Sequence, residues 1–228
     1  FNNRPGKDSA ILALYNEPSW NNPVAHFVDG KGKDIIPKLA NNYQPLSMYN
    51  KLVEALTKLG RPIPKYALLL GDDLKMKYGN LKTTIYETPC FWSGETTLAM
   101  HPAVRYTEAG KIGIAEVVKV YFDNSQASLE QLNNFATEEG FFQIENHEHY
   151  KVDKSPQYYI SKSAFRSLPL SKAQRAKINV AIPYKELPTE YLSPKQSVLY
   201  QNILNGVSSS SSNGSYEEDI ENSWNWNF

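Results

Sequence analysis

Thr83-Thr84-Ile85-Tyr86-Glu87-Thr88-Pro89-Cys90-Phe91-Trp92-Ser93-Gly94-Glu95 contains the only cysteine among 228 residues, and its reading decides the fold. The run Thr83 to Tyr86 is β-branched and aromatic, which predicts a strand. Glu95-Thr96-Thr97-Leu98-Ala99-Met100, after Gly94, reads as a helix. Cys90 is therefore expected where a strand end meets a helix start. Backbone N–H groups at a helix start favour a thiolate, so this is a place for a reactive cysteine. The competing reading is an inert, buried cysteine that packs as a small hydrophobe.

Composition narrows what lies on either side. The chain is 41% hydrophobic and 21% charged, enough for one or two packed domains. Lys+Arg and Asp+Glu both total 24, so there is no basic excess of the kind that nucleic acid or an anionic membrane surface demands. The apolar runs, such as Tyr66 to Leu70, are too short to span a bilayer. One cysteine permits no internal disulfide and does not report the compartment; a cytoplasmic setting is the working expectation. The chain opens on Phe1-Asn2-Asn3-Arg4-Pro5 without an initiator Met and reads as a fragment or processed product.

Upstream, Asp8 to Tyr15 has a short helical pattern (Ala10, Ile11, Leu14), and a polar stretch leads to Pro23. Val24 to Asp29 reads as a strand, Gly30-Lys31-Gly32-Lys33 as a hairpin turn, and Asp34 to Pro37 as a second strand. Ser47 to Leu59 repeats apolar residues at helical spacing and stops at Gly60. Residues 61–82, Arg61-Pro62-Ile63-Pro64, a short apolar helix and then Gly71-Asp72-Asp73, read as a connector rather than a domain. The second domain is expected over 83–202, with strands Thr83–Tyr86 and Glu116–Phe122 and helices Ser128–Phe135 and Lys172–Val180. Residues 203–228 read as a disordered tail, Ser-, Asn- and Glu-rich from Val207 onward. The fold class expected is α/β (α+β).

Two resemblances carry this reading further. Over residues 1–60 the order helix, loop, Pro23, strand, turn, strand, helix resembles the C-terminal half of a thioredoxin-like domain, with Pro23 in the place of that family's cis-proline; the Cys-x-x-Cys half is not in this chain. From residue 83 the chain resembles the A-type peptide methionine sulfoxide reductases. That family's Gly-Cys-Phe-Trp-Gly-x-Glu stands here as Pro89-Cys90-Phe91-Trp92-Ser93-Gly94-Glu95. Its Pro-Gly-Val-x-x-Thr-x-x-Gly spacing is met by Pro102, Val104, Thr107 and Gly110. Its Thr-Gly-His-Ala-Glu appears as Ile112-Gly113-Ile114-Ala115-Glu116, and its Asp-x-Gly-Thr-Gln-Tyr segment is echoed by Asp153 to Tyr158.

The resemblance implies a methionine sulfoxide reductase-like α/β sandwich and a thiol mechanism. Reducing a sulfoxide requires a thiolate to attack sulfur while protons reach the departing oxygen. By resemblance Cys90 is the nucleophile and becomes a sulfenic acid, and Glu116 is the acid, kept protonated by an apolar pocket. Phe91 and Trp92 would receive the S-methyl group, Tyr158 would donate a second hydrogen bond to the oxygen, and Asp153 would orient polar groups around it. Glu95 reads as a structural or dipole-stabilising carboxylate. The family uses no metal or organic cofactor, so the implied partners are methionine sulfoxide, free or in proteins, and a thioredoxin-like or other external thiol reductant.

Four departures accompany the match. Pro89 replaces a glycine and removes an N–H. Lys111 falls where the family places a Tyr, in a shortened loop. Ile114 replaces a His and is expected to make the surroundings of Glu116 less polar. No resolving cysteine follows Cys90. These changes leave two other readings open: a thiol-dependent peroxide reductase on the same scaffold, or a non-catalytic binding module. His147-Glu148-His149 has spacing for two ligands on one side of a strand, but without a third ligand it reads as a solvated loop.

Overall fold

The computed structural model describes residues 7–18, 23–79, 81–145 and 147–207. The chain is mixed helix and sheet, and it divides into two compact units, Phe1–Ile63 and Pro64–Phe228. Among the described residues no helix is long and apolar enough to cross a membrane. The expected tail from 208 onward and the opening residues 1–6 lie outside the described residues.

In the first unit, α1 (Lys7–Leu14) precedes two short antiparallel strands, β1 (Val24–Ala25) and β2 (Leu39–Ala40), and then α2 (Pro45–Lys58). Pro45 suits the first turn of α2, where its missing N–H would have no helical partner, and Gly60 follows the helix at φ +63°. The strands differ from the sequence reading. Val24–Asp29 is a strand only at its first two residues, and its partner is 39–40 rather than Asp34–Pro37, with a single bridge Val28↔Asp34 beyond. Backbone bonds from the Asp29 amide to Lys33 O at 2.9 Å and from the Ile35 amide to Phe27 O at 2.7 Å still close the turn, and side-chain bonds brace it. The Asp29 carboxylate accepts from the Lys31 and Lys33 amides at 2.8 and 3.0 Å. His26 bridges Glu17 and Asp34, 3.0 Å from each, under the stacked ring of Tyr15, while Lys38 also reaches the buried Glu17. Glu17→Ala strips His26 and Lys38 of this shared carboxylate. A loss of about 1–3 kcal/mol is expected, read as reduced hydrogen-exchange protection over 24–40.

The second unit begins with α3 (Lys65–Lys77), so much of the expected connector is an integral helix. Its Asp73 Oδ1 accepts from the Ala173 amide at 2.9 Å, and Asp72 pairs with Arg105 Nε at 3.2 Å. Neither contact was visible in a short apolar pattern. The sheet follows, with β3 (Lys82–Glu87), β4 (Val104–Ile112), β5 (Ala115–Phe122), β6 (Phe142–Ile144) and β7 (Lys151–Val152) in the antiparallel order β6-β3-β5-β4-β7. Helix α4 (Phe91–Met100) lies against β4 and β5. Helix α5 (Leu129–Glu138) adds Leu132 and Ala136 to a core with Tyr86, Leu98, Val118, Val120 and Phe122.

The described residues continue through α6 (Tyr158–Ser161), a 3-10 turn Ala164–Ser167, α7 (Lys172–Ala181), a second 3-10 turn Pro188–Tyr191 and α8 (Pro194–Leu204). Helices α5, α7 and α8 each start in a capping box, Ser128/Gln131, Ser171/Gln174 and Ser193/Gln196. The Gln174 and Gln196 amides also bond each other reciprocally at 2.8 and 2.9 Å in the interior. Helix α8 runs past the expected domain edge at 202, because Ile203 still packs on the second core of Ile160, Phe165, Leu168, Leu170, Ile178 and Leu192.

Candidate functional site

Cys90 is the N-cap of α4, with extended backbone (φ −147°, ψ 115°) and no capping bond from its own side chain. The strand-to-helix junction expected from sequence is present, and the turn tolerates Pro89. The last backbone donor of the departing strand is the Thr88 N–H, which reaches Glu116 O at 3.0 Å. Pro89 follows it, exposed, where a missing N–H removes no ladder bond. The Cys90 carbonyl accepts from the Gly94 amide at 2.9 Å and the Ser93 hydroxyl at 3.0 Å, which fixes the first turn. Gly94 is required for close approach: a Cβ there would stand 2.8 Å from Thr88 Cγ2. Gly94→Ala is expected to cost about 1–3 kcal/mol through overpacking, measurable as a lowered urea midpoint.

Glu116 Oε2 accepts from the Phe91 amide at 3.0 Å. That amide is the first helical N–H, a donor without a partner inside the helix. A carboxylate from β5 therefore caps α4 one residue from Cys90, bringing the two sequence-predicted catalytic residues to the same helix start. Register explains the reach: Glu116 pairs with Lys111 just before a two-residue turn, Gly113-Ile114, with Gly113 at φ +61°. Ile114 is wholly exposed at the tip of this turn. It does not line the surroundings of Glu116, and the expectation of a less polar pocket on its account is corrected. Lys111 is on the rim, its Nζ 5.6 Å above the Phe91 ring.

The aromatic residues form a row. Phe91 is buried in the main core and lies 5.5 Å from Trp92, nearly parallel; Trp92 stacks on Tyr158 at 4.2 Å and 20°. Trp92 Nε1 is buried without a hydrogen-bond partner among the described residues. Lys162 Nζ lies 5.3 Å over the outer ring, Tyr158. Asp153 stands at the end of β7, its amide bonded to Ala109 O at 2.9 Å and its Oδ2 accepting from the Ser155 amide at 3.0 Å, so its carboxylate shapes the turn leading to Tyr158.

Glu95, read from sequence as a structural or dipole-stabilising carboxylate, is a structural acceptor. It is fully buried. Oε1 accepts from the Ala109 amide at 2.9 Å and Gln157 Nε2 at 3.2 Å, and Oε2 from the Gln157 amide at 2.9 Å. Burial pushes its carboxyl up to about 8, against the opposing pull of the Ala109 and Gln157 amides. Gln157 itself was absent from the predicted set. Its Nε2 also reaches Thr107 O at 3.0 Å.

His147 uses Nε2 on Ile144 O at 3.0 Å and, with His149, is exposed. Among the described residues no group of three or more His, Cys, Asp or Glu is placed to hold a metal ion. No protein-family model matches the chain, and no curated protein matches it in sequence.

Proposed function

We propose that the second unit is a methionine sulfoxide reductase-like α/β sandwich that reduces methionine sulfoxide through Cys90, and that residues 1–60 are a partial thioredoxin-like domain. The observation that carries the enzymatic reading is the hydrogen bond from the Phe91 amide to Glu116, which holds a carboxyl group beside a cysteine at a helix start. The Trp92–Tyr158 stack supports it by offering an aromatic surface for a sulfur-bearing methyl group. The thioredoxin-like reading is supported by the element order α1, β1, β2, α2 with Pro23 directly before β1.

In the proposed step the Cys90 thiolate attacks the sulfoxide sulfur, and Glu116 delivers a proton to its oxygen. The substrate S–O bond breaks and one S–O bond forms on Cys90. The substrate sulfur gains two electrons and leaves as a thioether; Cys90 loses two and becomes a sulfenic acid. Two external thiol groups then reduce the sulfenic acid, forming one disulfide and releasing water.

Single-turnover methionine formation from each epimer of a blocked methionine sulfoxide, without added reductant, tests the reading. About one methionine per chain is expected from one epimer, in line with the single nucleophile, and none from Cys90→Ser. No methionine from either epimer would overturn it. Sulfenic-acid labelling after peroxide alone would then assign Cys90 to peroxide reduction.

A further inference from the structure

The geometry points to Glu95 and Gln157 as a positioning pair that sets the Tyr158 ring on Trp92 and so builds the substrate-facing aromatic wall. This inference rests on the sulfoxide-reductase reading for its kinetic consequence, though not for its geometry.

Glu95 and Trp92 are three residues apart on α4, so they lie one turn from each other on the same helix surface. Glu95 points inward and is completely buried. From there it accepts from both nitrogens of Gln157, a residue 62 positions away in the chain. Gln157 is the N-cap of α6, and Tyr158 is the first residue of that helix.

The local costs gathered on Gln157 mark it as held by its surroundings. It takes a left-handed conformation (φ 55°, ψ 61°) that a residue with a Cβ seldom adopts, and its Oε1 is buried without a hydrogen-bond partner among the described residues. Strain of this kind persists where the neighbourhood over-determines it. The restraints are the two bonds to Glu95 and those from Nε2 to Thr107 O and the Tyr106 hydroxyl. A left-handed residue turns the chain sharply, and here the turn brings Tyr158 onto the indole at 4.2 Å. Arg175, Glu108 and Asp153 also surround Glu95 or Tyr106, the tyrosine that Gln157 Nε2 reaches, but none of them connects α4 to the residue preceding Tyr158.

The test uses a chain in which Trp20, Trp224 and Trp226 are Phe, so that Trp92 alone reports. Near-ultraviolet circular dichroism is recorded for this chain and for Glu95→Gln, Gln157→Gly and Tyr158→Ala in it. Gln157→Gly removes the side-chain bonds while easing the positive φ, so it keeps the test alive if Glu95→Gln does not fold. Both variants are expected to show the Tyr158→Ala spectrum while far-ultraviolet spectra stay unchanged. The sulfoxide concentration for half-maximal single-turnover rate is expected to rise roughly three- to tenfold, the worth of one aromatic stack, while the saturating rate is retained. A wild-type Trp92 spectrum in the folded variants overturns the positioning role. Absence of methionine formation in the parent chain overturns the reductase reading instead, and the Trp92 spectrum still decides the positioning.

Discussion

Glu116→Gln is expected to lower the saturating single-turnover rate of methionine formation by about two to four powers of ten, the usual worth of a general acid. The thermal unfolding midpoint should stay within a few degrees of wild type. The separation of these effects follows from the geometry. A glutamine at 116 still offers a carbonyl oxygen to the Phe91 amide, so the cap on α4 survives. It has no ionisable proton to give the departing oxygen. Glu116→Ala removes both functions. Because Cys90 makes no capping bond of its own, that variant should also lose about 1 kcal/mol, as helices do when a cap is deleted. The rate is read by quenched flow and the stability by urea unfolding of the same preparations. A rate in Glu116→Gln within threefold of wild type would leave Glu116 only its capping role.

The junction at the centre of this site was legible because its signals are local. A β-branched run, a proline and a cysteine before a helical pattern give a strand end and a helix start without any distant contact, although α4 begins at Phe91, about one turn before Glu95, where the pattern was read. The capped helices at 128 and 171 were equally legible, since Ser and Gln three residues apart satisfy each other within one turn. What escaped depends on partners far along the chain. Lys65–Lys77 read as a connector because its role is set by Asp73 on the start of α7, 100 residues away. Glu95 read as a structural or dipole-stabilising carboxylate, but its donors, the Ala109 amide and the Gln157 loop, lie far along the chain. Gly110 matched a motif spacing, but its reason is tertiary: a Cβ there would come within 2.4 Å of the Tyr150 ring and 2.5 Å of Lys151 O, where β7 closes the sheet. The departure at Ile114 was misread because a motif match does not say that the position is a turn tip, turned to solvent.

Wild-type stability is expected to fall by as much as about 5 kcal/mol as the pH is raised from 4.5 to 8, from Glu95 alone. Below 4.5, its ordinary value, the folded and unfolded chains both hold the Glu95 proton. Between there and about 8 the unfolded chain releases a proton that the buried carboxyl keeps, so each unit of pH costs about 1.4 kcal/mol until the folded form ionises too. Asp73, raised from 3.8 to about 6 mainly by burial, adds a loss of the same sign that is complete by pH 6. Asp123 acts in a separate window: burial raises it, but its bonds with Ser125 and Lys75 win and hold it near 2. Its contribution is present above 3.8 and is lost only as the pH falls through 2. His101 is lowered by burial from 6.5, so it opposes the Glu95 trend weakly below that value. Asp72, raised by burial, adds to the fall and Lys177, lowered by burial, opposes it, so the share of Glu95 between 6.5 and 8 is the difference between wild type and Glu95→Gln. Urea unfolding in steps of half a unit should show wild-type stability declining through that window more steeply than Glu95→Gln, because an amide exchanges no proton. Equal slopes in the two proteins would mean that the Ala109 and Gln157 donors hold the carboxylate ionised in the fold, overturning the raised value.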